Sequence, residues 1–207
     1  TPVAVDAEVT LLVPDHPFVG RGGLKLEHAL RAFAIPVEGR IALDIGASTG
    51  GFTDVLLRHR AARVVALDVG HGQLDWRLRT DPRVVVIERT NARTLTPGAL
   101  PAESRRFDII TIDVSFISLR HILPVVPALL APRGDVVALV KPQFEAGRDE
   151  VGSGGIVRDD EVRARVVDEI TGHALTLGLT RAGLSESPIT GMEGNREFLL
   201  HLTRPDA

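Results

Sequence analysis

The sequence of 207 residues contains no cysteine. This absence excludes a disulfide-stapled scaffold, a zinc ribbon and a thiol nucleophile. Long apolar runs are missing as well: the longest, such as residues 136–140, fall far short of the roughly 18–20 residues that a membrane helix needs. No secretory signal opens the chain. We therefore expect a cytoplasmic protein without a membrane partner.

Lysine is scarce, because the 24 basic residues are 22 arginines and only two lysines, Lys25 and Lys141. Arginine stays charged in proteins, whereas a lysine that is partly removed from water can give up its proton. The formal net charge is −3, so the composition lacks the basic footprint of a nucleic-acid-binding protein. A hydrophobic content of 44% supports one core, and we expect one domain with a short appendage.

Short apolar segments alternate with helical periodicity along the chain. The predicted strands are residues 41–45, 63–68, 84–87, 107–113 and 135–140, with a closing pair at 179–187 and 196–203. The predicted helices begin near residue 24 and cover 52–58, 74–78, 118–130 and a segment from Asp159 to Gly178. In the helix over 118–130, Pro124 and Pro127 must introduce a kink or delay the start. Strands that are separated by helices predict an α/β fold, a mostly parallel sheet covered on both faces.

A glycine-rich turn follows the first predicted strand, where residues 44–51 read Asp-Ile-Gly-Ala-Ser-Thr-Gly-Gly. Asp68 closes the next strand, 22 positions after Gly46, where a carboxylate can bind both hydroxyls of a ribose. A plain tight turn, with Asp68 as a helix-capping residue, is the alternative. The dinucleotide fingerprint is missing, because Ser48 stands where its second glycine belongs. The turn and the acidic residue together favour a nucleoside cofactor.

The spacing of this turn resembles the first motif of S-adenosylmethionine-dependent methyltransferases. The resemblance implies S-adenosylmethionine as the cofactor, with no metal. The residues expected to bind it are Gly46, Ala47, Ser48, Thr49, Gly50, Gly51, Phe52, Asp68, Val69, Asn91, Ala92 and Asp113.

Four titratable residues form a candidate catalytic set. Asp113 ends the fourth predicted strand and Lys141 follows the fifth, so in a parallel sheet both lie at one crevice. A lysine at the mouth of a buried strand is partly desolvated, which suits it to act as a base. Glu197 lies in the last strand segment, and Lys25 lies on the first helix, off its apolar stripe. Each residue alone is also compatible with a capping or solvated role.

Five ordered segments together resemble one family: residues 21–26, 44–51, 113–118, 140–145 and 194–198. They resemble the hemolysin-A-like (TlyA) branch of the FtsJ-type ribosomal RNA ribose 2′-O-methyltransferases, over residues 18–203. The resemblance implies the Rossmann-like class I methyltransferase fold, with a seven-stranded sheet and an antiparallel C-terminal strand. It also implies a Lys-Asp-Lys-Glu tetrad at Lys25, Asp113, Lys141 and Glu197. In that tetrad, Lys141 would accept the proton of the ribose hydroxyl.

The same resemblance implies a ribosomal RNA partner and a small S4-type RNA-binding domain ahead of the methyltransferase. Residues 1–20 are then expected to be the linker and tail of that domain, and residues 21–207 the methyltransferase domain. Arg21, Arg31 and Arg40 flank the first helix and are expected to contact RNA phosphates. Without the S4 domain we expect weak RNA affinity.

Two other functions stay open at this point. A membrane-acting cytolysin is suggested by the family's name, but the chain has no apolar span and no basic amphipathic helix. A methyltransferase-like domain that binds a nucleoside without catalysis is the other alternative. The presence of all four tetrad residues argues against it.

Overall fold

Seven strands form the centre of the molecule in a computed structural model, which describes residues 16–101, 104–191 and 194–204. They are β1 (Ile41–Ile45), β2 (Arg63–Leu67), β3 (Val84–Ile87), β4 (Phe107–Ile112), β5 (Leu130–Val140), β6 (Thr180–Glu186) and β7 (Phe198–Thr203). Their order in the sheet is β3-β2-β1-β4-β5-β7-β6. The first five strands pair in parallel, and β7 pairs antiparallel with both β5 and β6. The predicted α/β sheet with an antiparallel C-terminal strand is confirmed.

Six α-helices accompany these strands in the described part of the chain, the first of them ahead of β1. They are α1 (Gly22–Ala32), α2 (Gly51–Arg58), α3 (Trp76–Arg79), α4 (Val126–Leu129), α5 (Pro142–Glu145) and α6 (Asp160–Thr176). The α6 helix begins where the sequence predicted, since the Asp159 side chain accepts a hydrogen bond from the Glu161 amide at 2.8 Å. It ends before Gly178, whose φ of +77° suits a helix C-terminus.

The segment over residues 118–130, predicted to be a helix that its prolines kink or delay, becomes α-helical only at its end. The segment consists of two 3₁₀ turns, Leu119–His121 and Leu123–Val125, followed by the single α-helical turn of α4. Proline has no amide proton and clashes with the preceding turn, so Pro124 and Pro127 break a regular helix here.

The core lies on both faces of the sheet, because alternate residues of each buried strand point to opposite sides. On β5, Val136, Ala138 and Val140 pack into the core on one face. Val137 and Leu139 belong to the core on the other face, which α1 and α2 cover. Because elements cover both faces of the sheet in the described part of the chain, the ends of the strands are the natural place for a ligand site.

The strand order reverses between β1 and β4, which lie side by side although β2 and β3 separate them in sequence. Their connections leave in opposite directions, and a crevice opens at the carboxyl ends of such strands. The Asp113 amide donates to the Ile45 carbonyl at 2.9 Å and the Gly46 amide to the Leu67 carbonyl at 2.8 Å. These bonds fix the backbone at the floor of the crevice.

Candidate active site

The glycine-rich turn between β1 and α2 needs glycine at two positions for steric reasons. Gly46 has φ +85°, and a Cβ there would collide with the carbonyl oxygen of Asp113. Gly50 has φ +101°, and a Cβ there would collide with the Leu78 side chain. Glycine alone tolerates both the conformation and the close approach. The turn therefore brings bare backbone to the edge of the crevice.

Asp68, just after β2, is held beside this turn by two backbone amides. Its Oδ2 accepts from the Ser48 amide at 2.9 Å, and its Oδ1 accepts from the Gly70 amide at 2.7 Å. Asp68 does not cap a helix, because Gly50 and Asp75 are the N-caps of α2 and α3, so the helix-capping alternative is wrong. Each carboxylate oxygen can accept more than one hydrogen bond, so these two loop contacts are compatible with the binding of ribose hydroxyls.

Two adjoining cavities occupy the crevice, and both include Gly46, Ser48 and Asp113 in their walls. The first, of about 500 Å³, lies over the ends of β1 to β4 and is also lined by Asp68, Val69, Gln73, Asn91, Ala92 and Arg93. The second, of about 470 Å³, lies between the turn and α1 and is also lined by Arg21, Lys25, Ala47, Thr49, Gly51 and Phe52. All the predicted cofactor residues except Gly50, which packs against Leu78, line one of them.

Lys141 and Asp113 meet at the carboxyl ends of neighbouring strands. Lys141 Nζ lies 2.5 Å from Asp113 Oδ1, with angles outside those of a hydrogen bond, so the contact is an ion pair. The same amine donates to Ser115 Oγ at 3.0 Å. The side chain of Lys141 is only 9% exposed. The Lys141 ammonium therefore contacts protein groups and is largely shielded from water.

Lys25 and Glu197 form a second buried ion pair. Lys25 Nζ donates to Glu197 Oε2 at 2.5 Å, and the two side chains are 10% and 3% exposed. Lys25 does lie off the apolar stripe of α1, but its amine points into the protein at the second cavity. Because Val140 pairs with Phe198 in the sheet, Glu197 lies beside the end of β5, next to Lys141 in the register. The fold thus gathers the four predicted residues from distant parts of the sequence.

Asp44 has an environment that the sequence did not reveal, although it begins the glycine-rich motif. It is fully buried and accepts hydrogen bonds from Thr53 Oγ1 at 2.7 Å and Thr111 Oγ1 at 2.9 Å. Burial raises the pKa of Asp44 to about 6, and the hydrogen bonds from the two threonines only partly offset that effect. Asp44 ties the floor of the turn to α2 and β4.

The three predicted RNA-binding arginines lie in different places. Arg21 lines the second cavity. Arg31 is exposed in the last turn of α1 and lines neither cavity. Arg40 precedes β1 at the opposite edge of the sheet, where its guanidinium donates to Asp135 at 2.6 Å. The crevice also contains Arg93, which the sequence reasoning did not single out.

An exposed aromatic ring stands at the rim of the first cavity. Phe116 is 90% exposed and has φ +63°, a conformation that non-glycine residues seldom adopt. Its ring centroid lies 5.0 Å from that of Phe144, which follows Lys141 on α5. The resemblance segments at 113–118 and 140–145 contained both residues, but their spacing gave no sign that the rings meet.

Within the described residues, no cluster of three histidine, aspartate or glutamate side chains could hold a metal ion. No helix in the same part of the chain is long and apolar enough to cross a membrane.

The chain is similar to known methyltransferases over most of its length. The sequence model of the family described as FtsJ-like methyltransferase matches residues 18–204. The chain is 53% identical over 188 residues to the 16S/23S rRNA (cytidine-2′-O)-methyltransferase TlyA of Mycobacterium tuberculosis, covering 91% of this chain and 69% of that protein. It superimposes on the structure of a candidate hemolysin from Streptococcus thermophilus with a TM-score of 0.90 and 49% identity, covering 94% of this chain and 70% of that one.

A more distant structure confirms the predicted class of fold. An S-adenosylmethionine-dependent methyltransferase from Mesorhizobium loti has a TM-score of 0.64 at 19% identity, covering 86% of this chain and 96% of that one. A structural similarity at this low sequence identity supports the Rossmann-like class I fold and nothing about function. The match of the family model to nearly the whole described chain is the stronger finding. This chain belongs to the FtsJ-like methyltransferase family.

Proposed function

We propose that this chain transfers a methyl group from S-adenosylmethionine to the ribose 2′-hydroxyl of a nucleotide in ribosomal RNA. The observation that carries the proposal is the pair of buried ion pairs, Lys141 with Asp113 and Lys25 with Glu197, beside two joined cavities. The similar protein of Mycobacterium tuberculosis is described as an enzyme for this transfer. Membership of an FtsJ-like methyltransferase family supports the same chemistry.

The first cavity fits the nucleoside part of the cofactor. Its volume of about 500 Å³ lies within the range of small-molecule sites. Asp68 would accept hydrogen bonds from the ribose hydroxyls, and Val69 and Ala92 offer apolar contacts to the base. The bare backbone at Gly46 lets the rest of the cofactor pass toward the second cavity. When bound, S-adenosylmethionine supplies a methyl group already activated by its sulfonium sulfur.

Lys141 is the proposed base. A ribose hydroxyl is a poor nucleophile until its proton is removed or shared. Once the ammonium of this ion pair has released a proton to water, the uncharged amine of Lys141 would take the proton from the 2′-oxygen. That oxygen would form its bond to the methyl carbon as the carbon–sulfur bond breaks and its electron pair stays on sulfur. The amine becomes an ammonium, and Asp113 at 2.5 Å balances its new charge. Alignment and base catalysis are then the main contributions of the protein, the latter typically worth about 10²–10⁴-fold.

Lys25 and Glu197 are proposed to shape the other side of the acceptor site. Glu197 is 3% exposed and its partner is the Lys25 amine, so the pair leaves no uncompensated charge there. Lys25 lines the second cavity, where its ammonium can orient the ribose hydroxyl. This arrangement assigns the charged lysine to orientation and Lys141 to proton transfer.

RNA would approach over the rim of the two cavities. Arg21 and Arg93 lie there, and neither has an ion-pair partner among residues 16–101, 104–191 and 194–204, so both can bind phosphates. Phe116 offers an exposed ring on which an unstacked base can lie. Arg40 is held by Asp135, and we leave it out of the proposed contact. We further propose that residues 21–207 are the methyltransferase unit and that an S4-type module would add most of the RNA affinity.

The test is transfer of a labelled methyl group from S-adenosylmethionine to assembled ribosomal subunits and to naked ribosomal RNA. The variants are Lys141→Ala and Lys141→Arg, because arginine keeps the charge but cannot act as a base. Both are expected to lose at least about 100-fold in rate, within the usual range for removal of a general base. Calorimetry should show that both still bind the cofactor. Transfer by Lys141→Ala at a rate near that of the unmodified chain would refute the assignment.

A matched control is Arg60→Ala, which removes an exposed guanidinium paired with Glu38 far from the crevice. We expect this variant to keep full transfer. Cofactor binding without transfer to any form of ribosomal RNA would instead favour a non-catalytic nucleoside-binding domain.

A further inference from the structure

Ser115 is a polar contact of Lys141 that lies outside the Lys-Asp-Lys-Glu set. The residue stands two positions after Asp113, in the loop that follows β4, and lines the first cavity. Lys141 Nζ donates to Ser115 Oγ at 3.0 Å and also lies 2.5 Å from Asp113 Oδ1. Lys25 differs, because Glu197 is its one polar partner in the described chain. The hydroxyl contact therefore distinguishes one lysine from the other.

The position of Ser115 is fixed by contacts that do not involve Lys141. Three residues further along, the Ser118 hydroxyl donates to Glu145 at 2.5 Å, and the Leu119 amide donates to the same carboxylate at 2.8 Å. Phe116, the next residue, packs its ring against Phe144. At the other end of the loop, the Asp113 amide donates to the Ile45 carbonyl at 2.9 Å. Because the chain is held on both sides of Ser115, its hydroxyl is prepared for the amine before any RNA binds.

The partners of the Lys141 amine determine the direction in which its nitrogen lone pair points. A lysine nitrogen has three positions besides its bond to Cε. A hydrogen bond to Ser115 fixes one of these positions, and with it the rotation of the amine about the Cε–Nζ bond. Asp113 lies 2.5 Å away without hydrogen-bond geometry, and its negative charge repels a lone pair on its side. The lone pair of the uncharged amine is therefore left at the remaining position, where the described residues provide no polar partner.

We propose that Ser115 is a positioning residue for proton transfer to Lys141, an inference that rests on the function proposed above. Its hydroxyl oxygen accepts one N–H of the uncharged amine and thereby aims the lone pair at the ribose 2′-hydroxyl. The O–H bond of the ribose breaks, its proton bonds to Nζ, and the oxygen takes the methyl group as sulfur leaves with its electron pair. Ser115 continues to accept a hydrogen bond from the resulting ammonium.

The test measures single-turnover methyl transfer to ribosomal subunits as a function of pH for Ser115→Ala, Ser115→Thr and Ser153→Ala. Loss of a hydrogen bond to a charged group predicts that Ser115→Ala is about 10- to 100-fold slower. Its cofactor affinity should be unchanged, and the rising limb of its pH profile should move to lower pH, because the ammonium loses an acceptor. Ser115→Thr keeps the hydroxyl and is expected to restore the rate to within a few-fold. Ser153 is exposed and outside the site, so its alanine variant should match the unmodified chain.

Two results would overturn the inference. One is a Ser115→Ala variant with an unchanged rate and pH profile. The other is a slow Ser115→Ala variant whose pH profile has not moved and whose rate Ser115→Thr does not restore, which would indicate a structural role. Lys141→Ala in the same assay distinguishes a failure of this inference from a failure of the proposed function. If Lys141→Ala is inactive while Ser115→Ala is fully active, only the role of Ser115 is wrong. If Lys141→Ala is itself active, the proposed base is wrong.

Discussion

The chain has 22 arginines and two lysines, and the two lysines form the two buried ion pairs of the crevice. An arginine could supply the positive charge at either place, but it cannot accept a proton under ordinary conditions. The environments of the two lysines differ, since among the residues that the structure describes only Lys141 has a hydroxyl partner in addition to its carboxylate. At the scale of single residues, the distribution of lysine therefore follows the proposed proton transfer.

Gly46 gives a prediction about the backbone of the turn. Gly46→Ala adds a Cβ at φ +85° that collides with the Asp113 carbonyl oxygen. Gly39→Ala is a matched control, because Gly39 has φ +75° but no atom within 4 Å of the added Cβ. We expect the control to lose about 1 kcal/mol of stability from the backbone alone. Gly46→Ala should lose clearly more and should also bind S-adenosylmethionine at least tenfold more weakly, as measured by thermal unfolding and calorimetry. Equal stability and affinity of the two variants would contradict this reading.

Asp44 gives a prediction about pH. Its pKa is raised from 3.8 to about 6 by burial, so between these values the folded chain holds a proton that the unfolded chain has released. The free energy of unfolding therefore decreases as the pH rises through this window, by about 3 kcal/mol for this residue alone. Asp44→Asn cannot titrate, and the unmodified chain should lose stability relative to it between pH 4 and pH 7. Urea unfolding of both proteins across that range measures the difference, and a constant difference would count against the raised pKa.

At the scale of secondary-structure elements, the site depends on the link between α5 and the loop after β4. Glu145 accepts hydrogen bonds from the Ser118 hydroxyl and the Leu119 amide, and burial raises its pKa. Asp113 precedes this loop and Lys141 precedes α5. The Glu145 contacts thus hold together the two segments that follow Asp113 and the proposed base, Lys141.

Removal of that carboxylate should loosen the loop. In Glu145→Ala, we expect the Leu119 amide to exchange its hydrogen at least about tenfold faster, because its buried acceptor is gone. Methyl transfer should slow several-fold while cofactor affinity stays the same. Glu38→Gln is a suitable control, since Glu38 is 72% exposed and lies away from the crevice. Unchanged exchange at Leu119 would show that other contacts hold the loop.

The strand positions and the cofactor turn could be predicted from the sequence, because apolar runs and glycine spacing are local features. Asp113 and Lys141 could also be placed together, since the carboxyl ends of parallel strands share one edge. The contact between Lys25 and Glu197 joins residues 172 positions apart and depends on the packing of α1 and the register of β7. The ion pair of Arg40 with Asp135 and the burial of Asp44 are tertiary in the same way. The break over residues 118–130 shows two prolines overriding an apolar pattern of helical period.

At the scale of the whole molecule, the net charge of −3 is compatible with an RNA substrate once the arginines are located. Many of them are neutralised in ion pairs, such as Arg83 with Asp81 and Arg165 with Glu150. Arg21 and Arg93 instead stand unpaired, within the described ranges, at the rim of the crevice. The charge that RNA would meet is therefore set by the local arrangement and not by the total.

The position of the transferred methyl group tests the proposed chemistry most directly. After reaction of ribosomal subunits with labelled S-adenosylmethionine, alkaline hydrolysis and nucleoside analysis locate the label. A methyl group on the 2′-oxygen blocks cleavage of the next phosphodiester bond, so we predict label in alkali-resistant dinucleotides and in 2′-O-methylnucleosides, and none with Lys141→Arg. Label on a base, released in ordinary mononucleotides, would contradict the account.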